Sequence, residues 1–205
     1  MQLRALHRIS AIVIAAYALF HVANHLVALH GVDAHIKVME TLRVVYRQPP
    51  IEVVLLTCAM FQAGSGLWLV IRGWRQRAGA VAWLQAISGV YIAFFLLVHV
   101  TAVLFGRAVL HLDTNFFFAA AGFHVHPYQW FFGPYYFLAV AALFAHIGCA
   151  AYWQLAGARP RRAAIMLNSA LIVGVLCSAL ITLSLAGVFE PFTVPAEYTA
   201  TYGGK

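Results

Sequence analysis

Five long apolar runs, separated by polar or aromatic segments, make up most of the chain: about 9–29, 51–71, 84–105, 131–155 and 163–189. Each has the roughly 20 residues that an α-helix needs to cross the hydrocarbon core of a bilayer. The apolar positions are continuous rather than alternating, which argues against a transmembrane β-barrel. The pattern predicts an all-α fold, an integral membrane bundle of five transmembrane helices forming one domain over residues 1–205. Connections on one side are short (73–83 and 156–162), and those on the other are longer (30–50, 106–130 and 190–205). Pro49-Pro50 and Pro134 mark helix starts on the long-loop side, since proline is tolerated in a first turn. The connection HLDTNFFFAAAGFHVHPYQWFFGPYY is aromatic and nearly uncharged, so it should lie in the interface or fold back over the mouth of the bundle. The fifth run has no ionisable group, and its Ser169, Gly174 and Ser178 predict a close-packing scaffold face.

Composition sharpens this picture. With 63% hydrophobic and 9% charged residues, the chain is not an ordinary soluble domain, and five spans leave no room for one. The first span begins within ten residues of Met1 and carries His21, Asn24 and His25, so it reads as a retained helix rather than a cleaved leader. Cys58, Cys149 and Cys177 fall inside spans without a CxxC motif, which predicts buried free thiols. The net charge of +7 could suggest nucleic acid, but its distribution is that of a topology signal and points to no nucleic-acid partner. Arg4, Arg8, Arg72, Arg75, Arg77, Arg159, Arg161 and Arg162 fall on the short-loop side; Lys37, Arg43, Arg47, Arg107 and Lys205 fall on the other. Eight against five predicts a cytoplasmic N-terminus and an outer C-terminus in a bacterial inner membrane, with anionic headgroups as a secondary use of the basic residues.

Two of the runs repeat each other. Residues 9–22 read ISAIVIAAYALFHV and residues 87–100 read ISGVYIAFFLLVHV. In each, a histidine follows the serine eleven positions later, Ser10 to His21 and Ser88 to His99. That spacing is close to three helical turns, so serine and histidine share a face about 16 Å apart. A histidine in an apolar span is costly unless partnered, and it marks a functional site by default. Spans one and three run in the same direction, so His21 and His99 lie at similar height, as bis-histidine ligation of one haem iron requires. The alternative is that each histidine hydrogen-bonds a neighbouring helix. His25, one turn after His21, is an alternative ligand. His146 on span four lies toward the cytoplasm, either as a ligand of a second haem or in a polar contact, for instance with Gln62. The loop histidines His30, His35, His111, His124 and His126 are expected to be solvated or interfacial, although His124 and His126 with His111 and Asp113 could hold a metal. Glu40 and Glu52 are the outer carboxylates nearest the expected haem, and either could accept protons from a quinol.

These residues resemble the cytochrome b membrane anchors of succinate dehydrogenases and fumarate reductases, in particular the five-helix type with two haems. LHRISA at 6–11 is similar to the first-helix opening of such anchors, where His, Arg and Ser border a quinone site or haem propionates. LQAISGVYIAFFLLVHV at 84–100 and ALFAHIGCAAYW at 142–153 resemble the third and fourth helices and carry their ligand positions onto His99 and His146. The resemblance runs through all five helices in order, on short apolar motifs. It implies quinone as a redox partner, with Arg8, Ser10 and Ser88 as quinone or headgroup contacts, and flavoprotein and iron–sulfur subunits as partners. One departure matters. FQAGSGLWL at 61–69 has Gln62 where the family has its second-helix histidine, so one haem b is expected rather than two.

The expected function is electron transfer between quinone and haem, as an electron-transfer subunit rather than a complete enzyme. The competing expectation is a stand-alone membrane protein with a structural or lipid-related role and no respiratory partner. A fungal mitochondrial membrane family linked to lipid homeostasis is broadly similar in its helical domain, and the missing span-two histidine favours that alternative.

Overall fold

The computed structural model describes residues 2–203. Its helices are α1 (Gln2–Val27), α2 (Val32–Tyr46), α3 (Pro49–Arg72), α4 (Ala80–Ala108), α5 (Phe116–Ala120), α6 (Gln129–Leu155), α7 (Pro160–Leu185) and α8 (Ala196–Thr199), with no strand among the described residues. Five of them, α1, α3, α4, α6 and α7, are long and apolar enough to cross a bilayer. Large apolar side chains such as Ile12 (71% exposed) and Ile71 (70% exposed) coat the outside of the bundle, where water would make them a liability and lipid makes them neutral. The chain is an integral membrane protein whose surroundings are a lipid bilayer.

Most helices outrun their apolar cores, because backbone hydrogen bonding continues into polar flanks; α1 starts at Gln2 and α4 extends to Ala108. The fifth span stops earlier than expected, at Leu185 rather than residue 189. Gly187 adopts φ +74°, its N–H donates to the Ser184 carbonyl, and the Val188 N–H donates to the Leu183 carbonyl. This paired arrangement caps the last turn and reverses the chain. Pro49 and Pro50 open α3 as expected, whereas Pro134 sits inside the second turn of α6. Lys205, counted above among the outer charges, lies outside the described residues.

The long connection 30–50 contains a helix that the apolar pattern did not predict. In α2, Val32, His35 and Met39 are buried on one face while Val44 and Val45 are exposed. Asp33 in its first turn and Arg43 in its last favour the helix dipole. The aromatic connection folds back over the long-loop end of the bundle, one of the two expected arrangements. Phe116 of α5 is 1% exposed and packs in a core with Val22, Ala28, Val32, Ile181 and Leu185. Polar ties hold this cap in place. Arg43 pairs with Asp113 at 2.8 Å, Arg47 Nη2 donates to Thr114 Oγ1 at 3.1 Å, and Arg107 of α4 pairs with Glu52 of α3.

α6 and α7 form the most extensive interface. A Cβ on Gly174 would lie 2.6 Å from Phe144 Cβ, and one on Gly148 would lie 2.8 Å from Ala170 Cβ, so both glycines permit an approach no larger residue would. Ser178 is fully buried there, its hydroxyl donating to the Gly174 carbonyl at 2.7 Å. Ser169, expected on this face, is exposed instead; the face is set by Ala163, Leu167, Gly174, Ser178 and Ile181. Of the cysteines, only Cys149 is fully buried, and Cys58 and Cys177 are partly exposed on the bundle's flanks.

Candidate functional site

α3 packs against both α1 and α4, and it holds those two helices apart rather than letting them pack directly. Across that interval the rings of His21 on α1 and His99 on α4 lie 6.1 Å apart, centroid to centroid. The repeated sequence also places an aromatic residue four positions before each histidine, hence one turn away on the same face. Tyr17 stacks on His21 at 5.8 Å and 15°, and Phe95 stacks on His99 at 4.9 Å and 14°. The rings are thus braced by apolar faces, and among the described residues neither makes a hydrogen bond.

Two further histidines complete a cluster toward the long-loop end. His25 lies 4.8 Å from His21, and His35 lies 5.0 Å from His25. His35 corrects an expectation: placed among solvated loop histidines by sequence, it is 2% exposed and accepts a hydrogen bond at Nε2 from Asn24 Nδ2 at 3.2 Å. Burial, followed by neighbouring His21 and the Arg43 charge, pushes its imidazole down to about 4, so it is neutral at pH 7. The signal was present in the sequence, as residues 32, 35 and 39 share one helical face, but it became visible only once 32–46 was known to be helical. Asn24 Oδ1, His25 Nδ1 and His35 Nδ1 are buried without partners. Three unpaired polar atoms beside the His21–His99 pair are unusual, since such groups are normally satisfied.

Ser10, Ser88 and His146 fall in a second polar layer, nearer the short-loop end. Gln62 does not meet His146. Its amide donates to Ser10 Oγ and to the His7 carbonyl, both at 2.6 Å, because α3 lies against α1. His146 instead meets α4, with Nδ1 3.0 Å from the Gln85 carbonyl and 3.3 Å from Ser88 Oγ. His7, which sequence read only as part of an opening motif, joins this layer, its Nδ1 2.7 Å from Ser65 Oγ. Arg8 is exposed at the same end, where it suits a headgroup better than a buried ligand.

The remaining candidates are dispersed. His124 Nε2 donates to the Leu185 carbonyl at 3.0 Å, His126 meets Gln129 at 3.2 Å, and Asp113 is taken by Arg43. Glu40 is exposed. Glu52 and Arg107 line a cleft of about 480 Å³ between α3 and α4, with Pro49, Val53, Leu56 and Leu104. No three His, Cys, Asp or Glu side chains converge as a metal-ion site among the described residues.

No family model, curated protein or solved structure matches this chain. The site must therefore be judged on its own chemistry, beginning with whether its residues fit a haem. Iron–imidazole bonds of about 2 Å, with each ligating nitrogen about 1 Å from its ring centre, set trans ligands about 6 Å apart between centroids. The 6.1 Å between His21 and His99 meets that requirement, and the rings have no competing hydrogen bonds to lose. His25 contacts His21 and His35, so His21 is the better partner for His99. The unpaired atoms of Asn24, His25 and His35 are suited to a polar substituent or water on the long-loop flank. The residues fit the group.

Proposed function

We propose that the chain is a b-type haem protein that carries electrons between quinone and haem, with His21 and His99 as the residues that would hold the iron of one haem. The observation that carries this reading is the 6.1 Å pair of imidazoles, free of hydrogen bonds, on two helices held apart by a third. Held by these two imidazoles in an apolar setting, a haem would supply a reversible one-electron carrier. The protein's own residues do the rest. Tyr17 and Phe95 fix the ring planes, α5 and α2 close the outer mouth, and the neutral His35 and Asn24 set the polarity of the flank.

A quinone ring suits the cleft beside Glu52 and Arg107, where the carboxylate could take a proton and the guanidinium could hold an oxygen. Ser10, Ser88 and Arg8 lie in the opposite layer, so they serve a separate inner quinone or headgroup rather than this cleft. Docking to flavoprotein and iron–sulfur subunits, as the resemblance to succinate dehydrogenase and fumarate reductase anchors implies, belongs to the same proposal. So does a bacterial inner-membrane location with the N-terminus inside. Cysteines introduced at Ala34 and Gln76 should then label from opposite sides of intact cells, Ala34 from outside; the reverse pattern inverts the topology.

Purified protein should show a reducible Soret band and a low-spin spectrum, and His99→Ala should remove them. A colourless protein from haem-replete cells would sink the proposal. It would favour the lipid-related alternative, for which Arg4, Arg72 and Trp68 offer an inner-end cleft of about 480 Å³ suited to an anionic headgroup.

A further inference from the structure

The two ends of the bundle are charged very differently. All six Asp and Glu side chains lie toward the long-loop end, on α2, at the start of α3, between α4 and α5, or beyond α7. There Arg43 pairs with Asp113 and Arg107 with Glu52. The short-loop end carries eight arginines and no carboxylate, so its charge is uncompensated among the described residues. One of the eight is already engaged. The guanidinium carbon of Arg77 lies 5.8 Å from the ring centre of Trp74 and 5.4 Å from that of Trp83, and these two indoles meet edge to face at 4.9 Å.

Arg4 and Arg72 are not engaged in this way. Both line the cleft of about 480 Å³ between the start of α1 and the end of α3, with Gln76 beside them and Leu3, Trp68 and Leu69 as its apolar wall. Neither has an ion-pair partner among the described residues. Two cations facing one space repel each other, and an anion between them reverses that interaction. The guanidinium fork matches the oxygens of a phosphate, and the Gln76 amide adds a further donor. Trp68 precedes Arg72 by one turn on the same face of α3, so the apolar wall continues from the charged rim toward the middle of the bilayer. Depth points to the source of the phosphate. Four of the chain's five tryptophans, Trp68, Trp74, Trp83 and Trp153, gather at this end, and tryptophan favours the headgroup level of a membrane. A ligand there meets cations at one end and an apolar groove at the other, which is the chemistry of a lipid rather than of a free anion.

We propose that this cleft is a specific site for one anionic phospholipid, with the phosphate held between Arg4 and Arg72 and an acyl chain lying along Trp68 and Leu69. A zwitterionic headgroup brings its own cation to the two guanidiniums, so the site selects lipids of net negative charge. It uses none of the residues around His21 and His99, and it binds lipid whether or not that pair holds haem.

The test is native mass spectrometry of the full chain in detergent, titrated with phosphatidylglycerol or with phosphatidylcholine of the same acyl chains. The first phosphatidylglycerol should bind far more tightly than the first phosphatidylcholine. Arg4→Ala and Arg72→Ala should each weaken it about fivefold, and the double variant about 25-fold, the factor expected when each basic residue near an anionic surface acts separately. Arg161→Ala and Arg162→Ala, at the same end but on α7 and outside the cleft, should leave it unchanged. An equal loss in those two variants would make the attraction a diffuse property of the whole end and overturn the site. Phosphatidylcholine binding as tightly as phosphatidylglycerol overturns it as well. So does inorganic phosphate that displaces the lipid at equal concentration, or a dimer of the chain that excludes it. Should an alanine variant fail to fold, Arg4→Gln and Arg72→Gln decide by the same readings.

Discussion

α6 and α7 meet through glycines, with backbone almost touching side chain, whereas α1 and α4 are bridged only by their own side chains across α3. The first pair keeps the charges of α7, Arg161 and Arg162, in its first turn and buries Ser178 against its own helix. The second carries His21 and His99 with apolar braces and no hydrogen bonds. In a bilayer, apolar surface gains little from leaving lipid, so close packing and hydrogen bonding hold helices together. One side of the bundle completes that packing and serves as scaffold. The other leaves it incomplete, and the proposed chemistry sits in the interval.

The strongest way to break this contrast is His99→Ala. If the proposed haem is bound, its low-spin signal should vanish while the melting temperature of haem-free protein barely moves, because among the described residues His99 braces no other helix by hydrogen bonds. His25→Ala should keep the signal. A collapse of the haem-free protein in His99→Ala would make the histidine side structural after all.

Phe116→Ala probes the cap that closes both sides. Phe116 is 1% exposed and touches His35 at 5.2 Å as well as the core of Val22 and Leu185. Removing a buried aromatic ring costs about 3–5 kcal/mol, read as a large drop in thermal midpoint in detergent. A drop of a few tenths of a kcal/mol would mean that α5 is an ornament on the bundle rather than part of its core.

Paired glycine replacements sharpen the comparison directly. Gly174→Ala forces a Cβ to 2.6 Å from Phe144 and should cost about 1–3 kcal/mol through overpacking. Gly64→Ala, on α3 with nothing within 4 Å, should be neutral or stabilise by up to about 1 kcal/mol. Equal effects at the two positions would erase the distinction between finished and unfinished packing.

The smallest effect is expected at the ion pair of the cleft between α3 and α4. Glu52→Gln should change stability by about 1 kcal/mol or less, since both side chains remain partly exposed. If the cleft serves quinone, the same variant should slow haem reduction by quinol far more than it changes the melting temperature. Equal reduction rates would remove Glu52 from the proposed proton path.

Five spans, their order and the alignment of His21 with His99 were legible in the sequence, because length, continuous hydropathy and an eleven-residue spacing are local properties of helical geometry. The scaffold role of the fifth span was legible too, although Ser169 turned out to face away from α6. His35 was not, since α2 had to be helical before residue 35 could join residues 32 and 39 on one buried face. Nor were the partners of His7, Gln62 and His146, which lie 52 to 61 residues away in sequence. Sequence fixes which residues share a face of one helix. Which faces then meet depends on how α3 separates α1 from α4 and how α6 lies against α4, and only the packing of the whole bundle decides that.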